Sequence, residues 1–263
     1  MHSVDDLNSV GSTFYRAAIQ RLLDEKIPFL VGGAYALQVH TQIIRRTKDF
    51  DIFMLDSDVP RALHVLSQAG YQTELTFPHW IAKAFCGEDF IDIIFSSGNG
   101  VCPVDAQWLE HAIPGRVLGL DLLLCPAEES IWQKAFILER DRCDVADVAH
   151  YIRHCGERLD WQRMLRRFDQ HWRILLAHVV LFDFIYPGHR AAIPQQLRDD
   201  LLQRLASEPD QAASEECRGT LLSATQFLRD VDLEGYGDAR LQPGGAMSTE
   251  DVAVWTANFM KPK

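Results

Sequence analysis

The chain has 263 residues, 47% of them hydrophobic and 24% charged, with a formal net charge of −11. That length can bury a full core as one large or two small domains. The acidic balance argues against bulk nucleic-acid binding, which needs basic surface to displace counterions.

In chain order, Met1 to Asp6 has neither a basic start nor an apolar stretch, so no secretory signal is expected. No apolar run approaches the ~20 residues that span a bilayer, so no membrane partner is expected. Ser12 to Lys26 reads as an amphipathic helix with Phe14, Ala17, Ala18, Leu22 and Leu23 near one side. Phe29 to Val31 is a short apolar strand, Gly32-Gly33 a turn, and Ala34 to Val39 the start of a helix. A strand carries Asp49 and Asp51. Ser57 to Ala69 is a helix stopped by Gly70, and Tyr71 to Thr76 a strand. Trp80 to Phe85 and Phe90 to Ser96 form a hairpin through Cys86, Gly87, Glu88 and Asp89. Gly115 to Leu124 adds one more extended element. From Pro126, which suits a first helical turn, the pattern is helical almost to the end. Ser248 to Asp251 resembles a capping box for a last helix. The fold class is therefore α/β (α+β): a mixed sheet core over 1–125, then a helical region over 126–263.

Three aspartates carry the chemistry. Residues two apart on a strand point the same way, so Asp49 and Asp51 face together and Phe50 faces opposite. Asp92 stands inside the apolar run Phe90, Ile91, Ile93, Ile94, Phe95, where a carboxylate is costly unless a cation or strong donors meet it. On neighbouring strands the three would converge, which suits hard divalent cations. Gly32 and Gly33 let backbone approach a ligand, and the helix behind them offers unpaired N–H groups to phosphate. Neither a G-x-G-x-x-G nor a P-loop is present.

Together, Val31-Gly32-Gly33-Ala34-Tyr35-Ala36-Leu37 followed by Arg45, Thr47 and Asp49-Phe50-Asp51, with a later single Asp92, resembles the nucleotidyltransferase superfamily that includes DNA polymerase beta. It looks most like bacterial members related to abortive-infection toxins and antibiotic-modifying enzymes. The segment Pro126 to Lys134 with Arg140, Arg142, Asp144 and Asp147 resembles the helical part those proteins carry after the sheet. The resemblance covers roughly Phe29 to His154. It implies transfer of an NMP group from a nucleoside triphosphate (NTP) to an acceptor hydroxyl, with release of pyrophosphate. Asp49, Asp51 and Asp92 are then the catalytic residues and the ligands of Mg²⁺ or Mn²⁺. Gly32, Gly33, Arg45, Thr47 and Lys134 are then the nucleotide-binding residues. The acceptor is left open among small molecules, tRNA and proteins, and a local tRNA contact is compatible with the charge. A nucleotide-binding regulatory module without turnover, or a toxin using the same site, stands as the alternative.

Each candidate also has a plainer role. Asp49 and Asp51 would otherwise be a solvated strand edge, and Asp92 the partner of a buried arginine. Arg45 is the better match to the phosphate-binding arginine, Arg46 and Lys48 being surface neighbours. Lys134 is either a snorkelling lysine or a phosphate ligand. Asp147, His150 and His154 share a helix face at metal-compatible spacing, without a protease motif beside them. His79-Trp80 reads as an interior aromatic edge, with the lining of an acceptor pocket as the other reading. Cys217 to Thr220 and Phe184 to Gly188 are unusual turns with no chemistry attached. Arg163, Arg166, Arg167 and Arg173 are the one candidate basic stripe. The cysteines at 86, 102, 125, 143, 155 and 217 have no C-x-x-C pairing and read as reduced thiols of a cytoplasm.

Overall fold

The structure, a computed structural model, describes residues 9–45, 47, 49–208 and 215–259. Arg46, Lys48 and the segment Met1 to Asp6 lie outside the described residues. The chain divides into two compact units, Met1–Pro126 and Ala127–Lys263.

The first unit runs α1 (Ser9–Asp24), β1 (Leu30–Val31), α2 (Gly33–Thr41), β2 (Asp49–Phe53), α3 (Val59–Gln68), β3 (Gln72–Phe77), β4 (Ile81–Cys86), β5 (Asp89–Ile94), α4 (Ala106–Glu110), β6 (Ile113–Val117) and β7 (Leu120–Leu124). Among the described residues its strands form one mixed seven-stranded sheet in the order β3-β4-β5-β2-β1-β7-β6. The β2–β5 and β1–β7 pairs are parallel and the others antiparallel.

Strict alternation divides this sheet into two chemically different faces. Phe50, Ile52, Ile91, Ile93, Ala82 and Ala84 are fully buried in one core. Phe14, Tyr15, Ala18, Ile19 and Leu22 of α1 join that core, as do Ala62, Val65 and Leu66 of α3. Ala17, expected near the apolar side of α1, is exposed; the buried stripe runs through Ile19 instead. The alternate residues Asp49, Asp51, Lys83, Phe85 and Phe90 are only half-buried. The apolar face fixes the register, and a slip of one residue would carry Asp51 into the core.

The expected single element over Gly115 to Leu124 is instead a two-stranded hairpin. Its turn is Leu118-Gly119, with φ of +52° and +74°. Two positive φ values in succession are the geometry of a tight hairpin turn matched to strand twist. No Asn-Gly or Asp-Gly pair announces it, because Leu118 is buried with the core.

The second unit runs α5 (Ala127–Ala135), α6 (Val145–Cys155), α7 (Trp161–Phe168), α8 (Trp172–Ile185), α9 (Gln195–Ser207), β8 (Glu216–Cys217), α10 (Leu228–Asp232), β9 (Gly237–Asp238) and α11 (Thr249–Phe259). The helical expectation thus misses one short parallel pair, β8 with β9. The capping box at the start of α11 is present: Ser248 Oγ donates to Asp251 Oδ2 at 2.6 Å, and the Asp251 N–H donates to Ser248 Oγ at 3.1 Å. Arg163 and Arg167 do not belong to a basic stripe. Arg163 is buried in ion pairs with Glu128 (2.7 Å) and Glu129, and Arg167 also reaches Glu129, at 3.2 Å. Arg173 pairs with Glu208.

Candidate active site

The site is built at the carboxyl end of β1, where the Gly32-Gly33 turn meets β2. Gly33 has φ of +53°, and a Cβ there would lie 1.7 Å from Asp51 Oδ2. Glycine is therefore required twice, for the left-handed backbone and for the Asp51 carboxylate packed against it. Gly32 is closed off in the same way: a Cβ would lie 2.1 Å from the ring of Phe53. That ring stacks on the buried Trp108 of α4 at a centroid distance of 5.3 Å. The Gly32 N–H donates to the Asp51 carbonyl at 3.0 Å, and the Gly32 carbonyl accepts from the Ala36 N–H at 3.0 Å. One residue thereby ties β2 to the first turn of α2. At the other end of α2, His40 Nε2 is 2.9 Å from the Cys125 carbonyl. The first turn of α2 is consequently held beside the Asp51 carboxylate.

Asp49, Asp51 and Asp92 come together. The parallel register sets Asp51 opposite Asp92, and Asp49 lies two residues away on the same face. One carboxylate oxygen from each lies within 4.8 Å of the others, a grouping able to hold a metal ion. Asp92 is the most buried of the three at 8% exposure. Thr47 donates through Oγ1 to Asp49 Oδ1, which fixes the rotamer of that carboxylate. Arg45 is half-buried on the segment leading into β2.

Three close carboxylates repel one another unless positive charge offsets them. The donor set is all oxygen and anionic, which fits Mg²⁺ or Mn²⁺ and not a soft metal. An ion partner of Asp92 is Lys83 on β4, a lysine and not the arginine of the plainer reading; it stands opposite Asp92 and pairs with its Oδ1. The Lys83 ammonium also lies 4.2 Å from the centroid of the Phe90 ring. The alternation Ala82-Lys83-Ala84 already sets Lys83 on the face opposite two alanines; its antiparallel register against Asp92 is the part that composition does not encode.

Two phenols approach from the core side. Burial, reinforced by Asp89, Tyr35, Asp49 and Asp92, pushes Tyr15 above the ordinary phenol value. Burial, with Asp49 adding to it, does the same for Tyr35. Both stay protonated at neutral pH, so neither is a proton acceptor for the site.

Lys134 lies in the second unit, where its ammonium contacts Asp144 Oδ2 at 2.8 Å and Asp147 Oδ2 at 2.9 Å. Asp147 is therefore engaged with Lys134, and among the described residues Asp147, His150 and His154 are not a metal-binding group. His79 Nε2 is 3.1 Å from the Gly98 carbonyl, and Trp80 stacks on Phe77, which makes this pair part of the sheet's end.

No protein-family model matches the chain, and no curated protein matches it. Among solved structures, the chain resembles the antibiotic-resistance factor ANT(2'')-Ia in solution, at 16% identity and a TM-score of 0.44, over 65% of this chain and 97% of that one. The lincosamide antibiotic adenylyltransferase LnuA, lincomycin-bound, matches at 14% identity and a TM-score of 0.39, over 53% of this chain and 94% of that one. An antigenic nucleotidyltransferase-like protein from Paracoccidioides brasiliensis matches at 15% identity and 0.39, over 65% and 93%.

Proposed function

We propose that this chain is a divalent-cation-dependent nucleotidyltransferase that moves an NMP group from an NTP to an acceptor hydroxyl. The observation that supports this best is the packing of the Gly33 backbone against the Asp51 carboxylate, within a cluster completed by Asp49 and Asp92. It sets a glycine turn of the kind that can bind phosphate beside an anionic oxygen cluster, which a purely structural acidic cluster does not need.

Asp49, Asp51 and Asp92 would hold Mg²⁺ or Mn²⁺, which when bound neutralises and aligns phosphate oxygens. The N–H groups at the start of α2 would receive phosphate oxygens, and the missing Cβ at Gly33 makes room for the Asp51 carboxylate beside them. Thr47 keeps Asp49 in one orientation, and Arg45 is the candidate guanidinium for a phosphate. Asp92 accepts the proton of the acceptor hydroxyl as its oxygen bonds to the α-phosphorus. The bond from that phosphorus to the bridging oxygen of the β-phosphate breaks, and pyrophosphate leaves. Positioning and charge compensation carry most of such a reaction. Every residue in these steps belongs to the first unit. The six cysteines form no disulfide, which fits the reducing cytoplasm expected for a bacterial enzyme.

The ion pair of Lys83 with Asp92 favours one second reading, a module that binds nucleotide without turnover, since a resident cation already engages a catalytic carboxylate. One assay separates the two. The protein is incubated with each α-labelled NTP, Mg²⁺ or Mn²⁺, and separate pools of antibiotics, tRNA and cell protein. Label entering one pool, with stoichiometric pyrophosphate, is the expected result and also assigns the acceptor, including the toxin-like choices of tRNA or protein. Nucleotide binding without label in any pool would replace the enzyme with the silent module.

A further inference from the structure

Four strands present one row of charged residues in register: Asp51 on β2, Asp92 on β5, Lys83 on β4 and Glu74 on β3. Directly opposed residues on neighbouring strands lie within side-chain reach on one face of the sheet. Lys83 therefore stands between two carboxylates, the recessed Asp92 and the exposed Glu74. Its ammonium takes the Asp92 side, and Phe90 flanks it at 4.2 Å.

We propose that Lys83 is a built-in counter-ion that competes with the divalent cation for Asp92 and passes toward Glu74 when the cation binds. The inference rests on the metal-binding part of the proposed function and goes beyond it, because it assigns Lys83 a positioning role. The physical basis is the charge sum. Asp49, Asp51 and Asp92 within one cluster repel each other, and the Lys83 ammonium offsets one of the three charges. A divalent cation on the same oxygens repels that ammonium in turn, and the flexible four-carbon stem of lysine lets it leave. Glu74, in register on the far side, supplies the second resting place. The pair thus offsets the Asp92 charge before metal arrives and sets how tightly metal is held.

The test uses the full chain and Mn²⁺ alone, by calorimetry and by the electron spin resonance signal of bound Mn²⁺. Lys83→Met is expected to bind Mn²⁺ about tenfold more tightly, since a competing charge is gone. It should also melt at lower temperature than the parent without metal, and recover in saturating Mn²⁺. Lys83→Arg, which keeps the charge, should restore near-parental Mn²⁺ affinity, a rescue that a purely packing role would not produce. In the unaltered protein, Lys83 should react faster with an amine-acylating reagent once Mn²⁺ is added, as mass spectrometry of the modified peptide reads. That measurement decides the matter even if Lys83→Met fails to fold. Unchanged Mn²⁺ affinity in a folded Lys83→Met, or unchanged Lys83 reactivity on Mn²⁺ addition, overturns the inference and leaves the proposed function standing. Absence of Mn²⁺ binding by the unaltered protein overturns the metal site itself.

Discussion

At the scale of single residues, the site is a set of mutual exclusions. Asp51 occupies the space that a Cβ at Gly33 would need, so neither position can change without the other responding. Asp51→Asn keeps the shape and removes one charge. Transfer should fall by orders of magnitude, since an anionic ligand is lost from the cation that would offset the transition-state charge. Stability should stay level or rise, because two like charges no longer face a third. Turnover per folded molecule and a denaturant midpoint, measured together, check both halves; a destabilised but fully active protein would make the aspartates structural. Gly33→Ala is expected to behave differently. An L-residue at φ of +53° costs about 1–2 kcal/mol. The added methyl must also displace the Asp51 carboxylate, so Mn²⁺ affinity and stability should fall together. A folded Gly33→Ala protein with parental Mn²⁺ affinity would separate the turn from the acidic cluster.

At the scale of elements, what the sequence reveals depends on whether the cause is local. The Asp49-Phe50-Asp51 alternation predicts a strand with its carboxylates on one side because period two is a backbone property. The helix stop at Gly70, with φ of +92°, is legible for the same reason. The β6–β7 hairpin is not, because its turn uses a leucine where asparagine is the ordinary signal. Magnitudes explain that choice. Burying a leucine is worth about 1.5–3 kcal/mol, more than an improved turn residue returns. Leu118→Asn should therefore destabilise the protein despite suiting the turn better, and Gly119→Ala, at φ of +74°, should cost about 1 kcal/mol. Thermal or denaturant melts of the two variants check this; a stabilised Leu118→Asn would show that turn strain outweighs leucine burial.

At the scale of the whole molecule, charge partners across the fold are the part the sequence conceals. Arg163 lies 34 residues from Glu129 and is brought to it by helix packing, while Lys83 and Asp92, nine residues apart, are brought together by hairpin register. Composition shows the charges but not their pairing, so it settles neither whether the arginines form a stripe nor which cation meets Asp92. Two histidines of the second unit, the buried His178 and the half-buried His171, add a pH dependence that no motif announces. Burial lowers His178 below the ordinary histidine value, although its contact with the Ala135 carbonyl at 3.0 Å acts in the opposite sense. Burial, with Arg218 adding to it, lowers His171 as well. With both groups depressed in the folded state, the unfolded chain takes up protons first as pH falls below 6.5. Stability is then fully present above that value and declines as pH drops toward the folded-state values. Denaturant midpoints taken at intervals from about pH 7.5 to 5.5 should fall across this window, and His178→Gln should flatten the slope. A slope unchanged by His178→Gln would mean that His178 gains its proton without opening the helical unit, and the acid sensitivity would have to lie with other groups.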